Sequence, residues 1–222
     1  MPHSETGLVN LTELEASTRA LVRAAAAIAG ADSATTRAVF EESTGIVDPR
    51  SMDEVILQSY LFAGFPRTLN AARAWRAASG EPAPEVDESA TLSVSSAWEE
   101  QGERTCATVY GESYEMLRRN IRELHPALDA WMITDGYGKV LSRPGLPLRI
   151  RELCILAACA ASGQQRQLHS HLHGALNSGA SAEEVRLALD AISDMIGADD
   201  LTRYHSLLGH VLSRRHPPPE EG

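Results

Sequence analysis

Apolar residues in this chain recur at spacings of three and four, and runs of β-branched residues with a period of two are missing, which predicts helices and no strand. Ser51 with Glu54 three residues on reads as a capping box before Val55, Ile56, Leu57 and Leu61. That helix stops near Gly64, and a second begins at Pro66, which suits a first helical position, and runs past Leu69 and Trp75 to about Gly80. Residues 81–96, rich in Pro, Ser and acidic side chains, lack periodicity and read as a linker. Helical patterning resumes near Glu99 and continues through Met116 and Ile121 to Leu124, where His125-Pro126 forces a break before a short helix to about Asp135. Gly136 to Pro147 carries three glycines and two prolines and is expected to be an irregular loop. A strong helix, Leu148 to Ala161, follows; Ser162-Gly163 breaks it, and another runs from Gln164 to Asn177 and closes on Gly179.

A second capping box, Ser181 with Glu184, exposes an internal repeat. S-M-D-E-V at Ser51 and S-A-E-E-V at Ser181 introduce similar helices, each preceded at a matching distance by an alanine-rich one: LVRAAAAIAGAD from Leu21 and LCILAACAASGQ from Leu153. The expected division is a degenerate repeat over 1–80, a linker over 81–98, connecting helices and the Gly/Pro loop over 99–147, and a second repeat over 148–222 that carries the site.

Length and composition narrow the function classes. At 222 residues the chain can bury a core without disulfides or a structural metal. A formal charge of -10, with no basic run interleaved with aromatics, argues against nucleic acid or an anionic membrane surface as partner. Cys106, Cys154 and Cys159 make no C-x-x-C pair and lie among Ala, Leu and Ile, so they read as reduced and buried. Met1 to Asn10 has neither a basic start nor an apolar core and does not read as a signal peptide, and no apolar run is long enough to span a bilayer, so a cytoplasmic location is expected.

The candidate chemistry lies between Glu152 and His173. On a helix from Gln164, the side chains of Gln164, Gln167 and His171 share a face, whereas His169 and His173 pair on nearly the opposite side. Two histidines four apart can bind zinc, but no third ligand is spaced for it, so that pair reads as a solvated face and no metal is expected. The face of His171 should turn to the preceding helix, where Glu152 is the nearby carboxylate. A Glu holding one imidazole nitrogen leaves the other free to move a proton; the alternative is a satisfied Glu-His hydrogen bond with no chemistry.

The segment Ser142 to Val185 resembles the core signature of the carboxymuconolactone decarboxylase family. Arg151-Glu152-Leu153, Gln167-Leu168, His171, Ala175-Leu176-Asn177, Gly179 and Ser181 to Val185 match it, and DEVILQSYLFAGFPRTLNAAR, Asp53 to Arg73, is similar to the family's downstream helix pair. The resemblance implies an all-α fold of two diverged copies of an alkylhydroperoxidase-D-like helical unit packed as a pseudo-dimer, and a homo-oligomeric ring of two-repeat chains, such as a trimer. The redox branch of the family carries a C-x-x-C pair where this chain has Gln164 and Gln167, which leaves thiol peroxidase activity a distant third.

The branch that needs no cofactor decarboxylates a small carboxylated lactone or enolisable acid, with His171 oriented by Glu152 as proton donor and Gln164 or Gln167 on the carbonyl oxygen. Arg143 and Arg151, with Arg149 and Arg166 nearby, are candidate cations for the substrate carboxylate. The first copy has Ala20 and Glu41 near the positions of Glu152 and His171, and the second lacks the aromatic corner of the first. Two readings fit this loss: a composite site, with Phe62 and Phe65 (and Tyr60) as a wall facing His171, or independent drift of two scaffolding halves. The competing class is a non-catalytic helical assembly or ligand-binding protein.

Overall fold

A computed structural model describes residues 13–215. The expectation about Met1 to Asn10 lies outside them, as do the far ends of the two predicted repeats. The described residues form helices and no strand. Ten α-helices occur: α1 (Ala16–Gly30), α2 (Ser33–Ser43), α3 (Pro49–Ser79), α4 (Trp98–Tyr110), α5 (Tyr114–Leu124), α6 (Pro126–Trp131), α7 (Leu148–Ala161), α8 (Gln165–Asn177), α9 (Ala182–Asp190) and α10 (Ala198–Arg215).

Helix α7 is the axis of the core. Every residue from Ile150 to Ala160 is buried, because α1, α3, α8 and α9 surround it. Such a helix needs small residues on several faces, and its alanines and cysteines supply them. At the crossing with α1, a Cβ on Gly30 would meet the Ala161 carbonyl oxygen, so the backbones approach closely only because position 30 is glycine.

Helix α3 bends once. Gly64 takes φ 76° and ψ 162° inside it, a conformation glycine alone adopts cheaply, and Pro66 cannot donate to the preceding turn. The result is the pair of helices the pattern predicts, joined at a corner. Its start differs from expectation: Asp48, not Ser51, caps it, accepting from the Ser51 amide at 3.0 Å, with Pro49 in the first turn. Asp before Pro outcompetes a serine cap here, and Glu54 turns inward to arginines instead of back to a cap. The second capping box is present as read, with Ser181 and Glu184 reciprocally bonded.

Two further expectations fail. The single helix expected over 99–124 breaks at Gly111, where φ is 52°, into α4 and α5. The irregular loop expected from Gly136 is instead the second half of a π-helix, Met132–Leu141, and only the stretch after it is irregular. The cause is tertiary. Trp98 and Gly102 of α4 lie backbone to backbone on Gly138 and Ile133, and a Cβ at either glycine would overlap a carbonyl oxygen of the other segment. The residues between 81 and 97 are mostly exposed and contain two short 3-10 turns. No described helix is long and apolar enough to cross a membrane.

Candidate functional site

Glu152 sits in the first turns of α7 and His171 midway along α8, both facing the contact between the two helices. His171 Nδ1 lies 2.8 Å from Glu152 Oε2. Glu152 is fully buried and His171 nearly so. The approach depends on Gly174, where a Cβ would overlap Glu152 Oε2 and come within 2.7 Å of Val109. Glu152 Oε1 has no hydrogen-bond partner among the described residues. A buried carboxylate with only one oxygen engaged is costly, and the partner it faces is a ring that can carry positive charge.

The ring of His171 forms part of the wall of a cleft of about 890 Å³. Phe62, from the corner of α3, meets it edge-on with centroids 5.9 Å apart. Phe65, beyond the corner, stacks on Tyr60 at 5.1 Å, and both line the same cleft. In the same lining, Tyr110 at the end of α4 and Tyr137 from the π-helix approach edge-to-face at 6.1 Å. Burial pushes the Tyr110 phenol up to about 12 and also raises that of Tyr137 well above the usual phenol range, with the charge of Glu152 adding to both. Both therefore stay protonated as hydrogen-bond donors.

The structure divides the residues singled out from sequence. His171, Phe62, Phe65 and Arg143 line the cleft, with Glu152 directly behind His171. Gln164 and Gln167 do not: both are exposed and outside the lining, since Gln164 precedes the first turn of α8 and the buried arc runs through Leu168, His171, Leu172 and Ala175. Arg151 points to another side of α7, where it is fully buried and donates to Glu54 at 2.7 Å and to the carbonyls of Leu146 and Arg143. Arg149 pairs with Glu184 and Arg166 is exposed. Arg143 itself is taken up by Glu54 and by Asp87 at 2.7 Å.

His169 and His173 stack edge-on at 5.1 Å and lie outside the cleft lining. Burial, with His169 and the arginines of α10 nearby, lowers the pKa of His173. Among the described residues no three of His, Cys, Asp and Glu gather as a metal-ligand set. The three thiols are buried, and burial pushes each up to about 12.

Sequence reasoning missed Tyr110, Tyr137, Trp131 and Lys139, all of which line the cleft. A tyrosine flanked by two glycines at 136–138 was the available signal, hidden by the expectation of a loop.

Both residues of the Glu152-His171 pair fall inside the stretch that matches a known family model. Residues 127–203 match the model of the carboxymuconolactone decarboxylase family. Over 138 residues, 61% of this chain and 63% of the relative, the sequence is 31% identical to "Peroxisomal protein 2" of Schizosaccharomyces pombe. Over 87 residues, 39% of this chain and 65% of the relative, it is 29% identical to "4-carboxymuconolactone decarboxylase" of Acinetobacter baylyi. In both cases the matched stretch spans less than two thirds of the relative's length.

Proposed function

We propose that this chain is a decarboxylase or related proton-transfer enzyme of the carboxymuconolactone decarboxylase family, working without an organic cofactor or metal on an enolisable carboxylic acid. The observation that carries the reading is the buried contact of His171 Nδ1 with Glu152 Oε2, which fixes the ring on the cleft wall and leaves Nε2 without a partner among the described residues.

The chemistry follows from what each group can do. As CO2 leaves, the electron pair of the broken C–C bond passes into a conjugated carbonyl and makes an enolate. Hydrogen bonds to that oxygen lower the barrier, and the protonated phenols of Tyr110 and Tyr137 are the donors, in place of Gln164 and Gln167. The His171 imidazolium, its charge balanced by Glu152, delivers a proton from Nε2 to carbon, and solvent restores it. The net reaction consumes one proton and releases one CO2. Thiol chemistry is disfavoured because each cysteine is buried and holds its proton.

We also infer that the chain is a tandem duplication. Helices α1 and α2 and the two arms of α3 match α7, α8, α9 and α10 in order, and the paired acids Glu54 and Glu184 both receive arginines from the start of α7.

The test is CO2 release from a panel of carboxylated lactones and β-keto acids, by the native protein and by His171→Ala. A fall of about 10²- to 10⁴-fold in kcat is expected for the variant, and replacing all three cysteines should leave the chemistry in place. Undiminished turnover in His171→Ala would overturn the reading, as would no turnover of any acid by the native protein.

A further inference from the structure

We propose that the cleft is built for an apolar monocarboxylate, a β-keto acid with an alkyl or aryl body larger than a single lactone ring, and not for a small dicarboxylate. The inference rests on the decarboxylase reading of His171 and names the substrate class for that site.

The first argument is charge. Four ionisable side chains other than histidine and tyrosine line the cleft: Asp87, Asp135, Lys139 and Arg143. Their formal charges cancel. Arg143 is committed, with both its Nε and one Nη on Glu54 and that Nη also on Asp87. Arg151, which a dicarboxylate would want for its second anion, is on another side of α7 and closed off by Glu54 and Gln58. Lys139 is the single lysine of the chain; it lines the cleft and makes no ion pair with a described residue, and its ammonium rests over the ring of Trp98, outside the cleft lining, 5.3 Å from the centroid. Lys139 is the one cleft cation not paired with a described carboxylate, so at most one anion finds a cation here and a second finds none.

The second argument is the wall. Leu57, Phe65, Leu128 and Trp131 are all large, apolar and 40–63% exposed, and all four line this one cleft. Exposed apolar side chains scattered over a surface need no explanation, but a rim of them around a concave site marks what the site takes up. Behind the rim, Leu61, Met132, Val140 and Leu141 continue the apolar surface inward to the Phe62 edge of His171. At about 890 Å³ the cleft stands near the top of the ~300–1,000 Å³ range of pockets that hold drug-sized molecules.

The reaction for such a substrate balances without another reactant. The bond between the α-carbon and the carboxylate breaks, CO2 departs, and the electron pair forms an enolate on the β-carbonyl oxygen beside the two phenols. A new C–H bond forms with the proton from His171, and a methyl ketone carrying the apolar body leaves.

The experiment uses the full chain and two homologous series of growing length, unbranched β-keto acids and the matching unreactive monocarboxylates, each with a counterpart that ends in a second carboxylate. Binding is measured by calorimetry and turnover by CO2 release. Kd is expected to fall about threefold for each added methylene until the cleft is full. The second carboxylate is expected to weaken binding more than tenfold. Phe65→Ser and Trp131→Ser, both at exposed positions where the fold is little affected, should flatten the length series.

Turnover with no dependence of Kd on length, or dicarboxylates bound as well as monocarboxylates, would overturn this inference and leave the decarboxylase reading standing. Length-graded binding with no CO2 from any β-keto acid would instead overturn the decarboxylase reading and leave an apolar-acid binding site.

Discussion

Arg151 and Glu152 are adjacent on α7, both fully buried and both charged, yet they point about 100° apart, to different partner helices, and meet opposite treatment. Arg151 donates to Glu54 at 2.7 Å, Gln58 at 3.3 Å, the Leu146 carbonyl at 3.2 Å and the Arg143 carbonyl at 3.0 Å. Among the described residues Glu152 has a single hydrogen-bond partner, His171, and its other oxygen has none. A buried network with all members satisfied is rigid and specifies packing. A buried charge left half satisfied is retained at a stability cost, and what it faces is a titratable ring on a cleft wall. On the proposed reading, the difference separates the structural side of α7 from its chemical side better than residue type or burial does.

The comparison breaks if the two sides respond alike to mutation. Arg151→Ala removes the partner of a buried Glu54 and should cost about 3 kcal/mol, near the low end for breaking a buried pair because Arg143 still holds Glu54. Urea unfolding measures it. Glu152→Gln should lower stability less but reduce kcat by about 10²-fold or more, since the amide cannot balance the imidazolium. If Arg151→Ala abolished turnover while remaining folded, or Glu152→Gln left kcat intact, the division between the two sides would be lost.

Gly174 sharpens the comparison. It lets α8 close on Glu152, as Gly30 lets α1 close on α7. Gly174→Ala should cost about 1–3 kcal/mol by overpacking and also reduce kcat, because the Glu152 carboxylate must move. Gly30→Ala meets backbone, so its cost in stability should be similar, with KM and kcat of the folded fraction unchanged. Thermal unfolding and initial rates on the same samples distinguish them.

A smaller effect comes from the thiols. Cys154 feels the charge of Arg151 and Cys159 that of Glu152, and burial raises both, like Cys106, to about 12 from 9.0. The folded chain thus keeps these protons in a range where the unfolded chain releases them. Stability is full below about pH 9 and lost as pH rises toward 12, each thiol steepening the loss by about 1.4 kcal/mol per pH unit. Cys154→Ala should make the alkaline limb of a stability-pH curve shallower by that amount, whatever it does to stability at neutral pH.

Much of this division was legible in the sequence, but unevenly. Helices α7 and α8 and the Glu152-His171 contact follow from alanine-rich periodicity ended by Gly163 and Gly179, because strong local signals and burial agree there. The partner of Arg151 was not legible, since Glu54 lies 97 positions away in the chain and nothing local marks the pairing. The π-helix was misread for the opposite reason: Gly136 and Gly138 do disfavour a helix intrinsically, and only the close approach of α4 reverses the outcome. Tyr137 went with it, as did about a third of the cleft wall.

Gln164 and Gln167 provide the finest discrimination. Spacing put them on the face of His171, and the family signature made Gln167 part of the site, whereas in the fold both are exposed at the start of α8 and outside the cleft lining. Gln164→Ala and Gln167→Ala should each change stability by less than about 0.5 kcal/mol, as surface substitutions away from special contacts do. Their kcat/KM should stay within about twofold of the native value, since a lost hydrogen bond to a developing enolate would cost roughly a hundredfold. Tyr110→Phe, which removes a phenol from the lining with little change in shape, should produce the larger loss. A glutamine variant slower than Tyr110→Phe would return the oxyanion role to α8 and require that helix to turn or unwind its first turn when substrate binds.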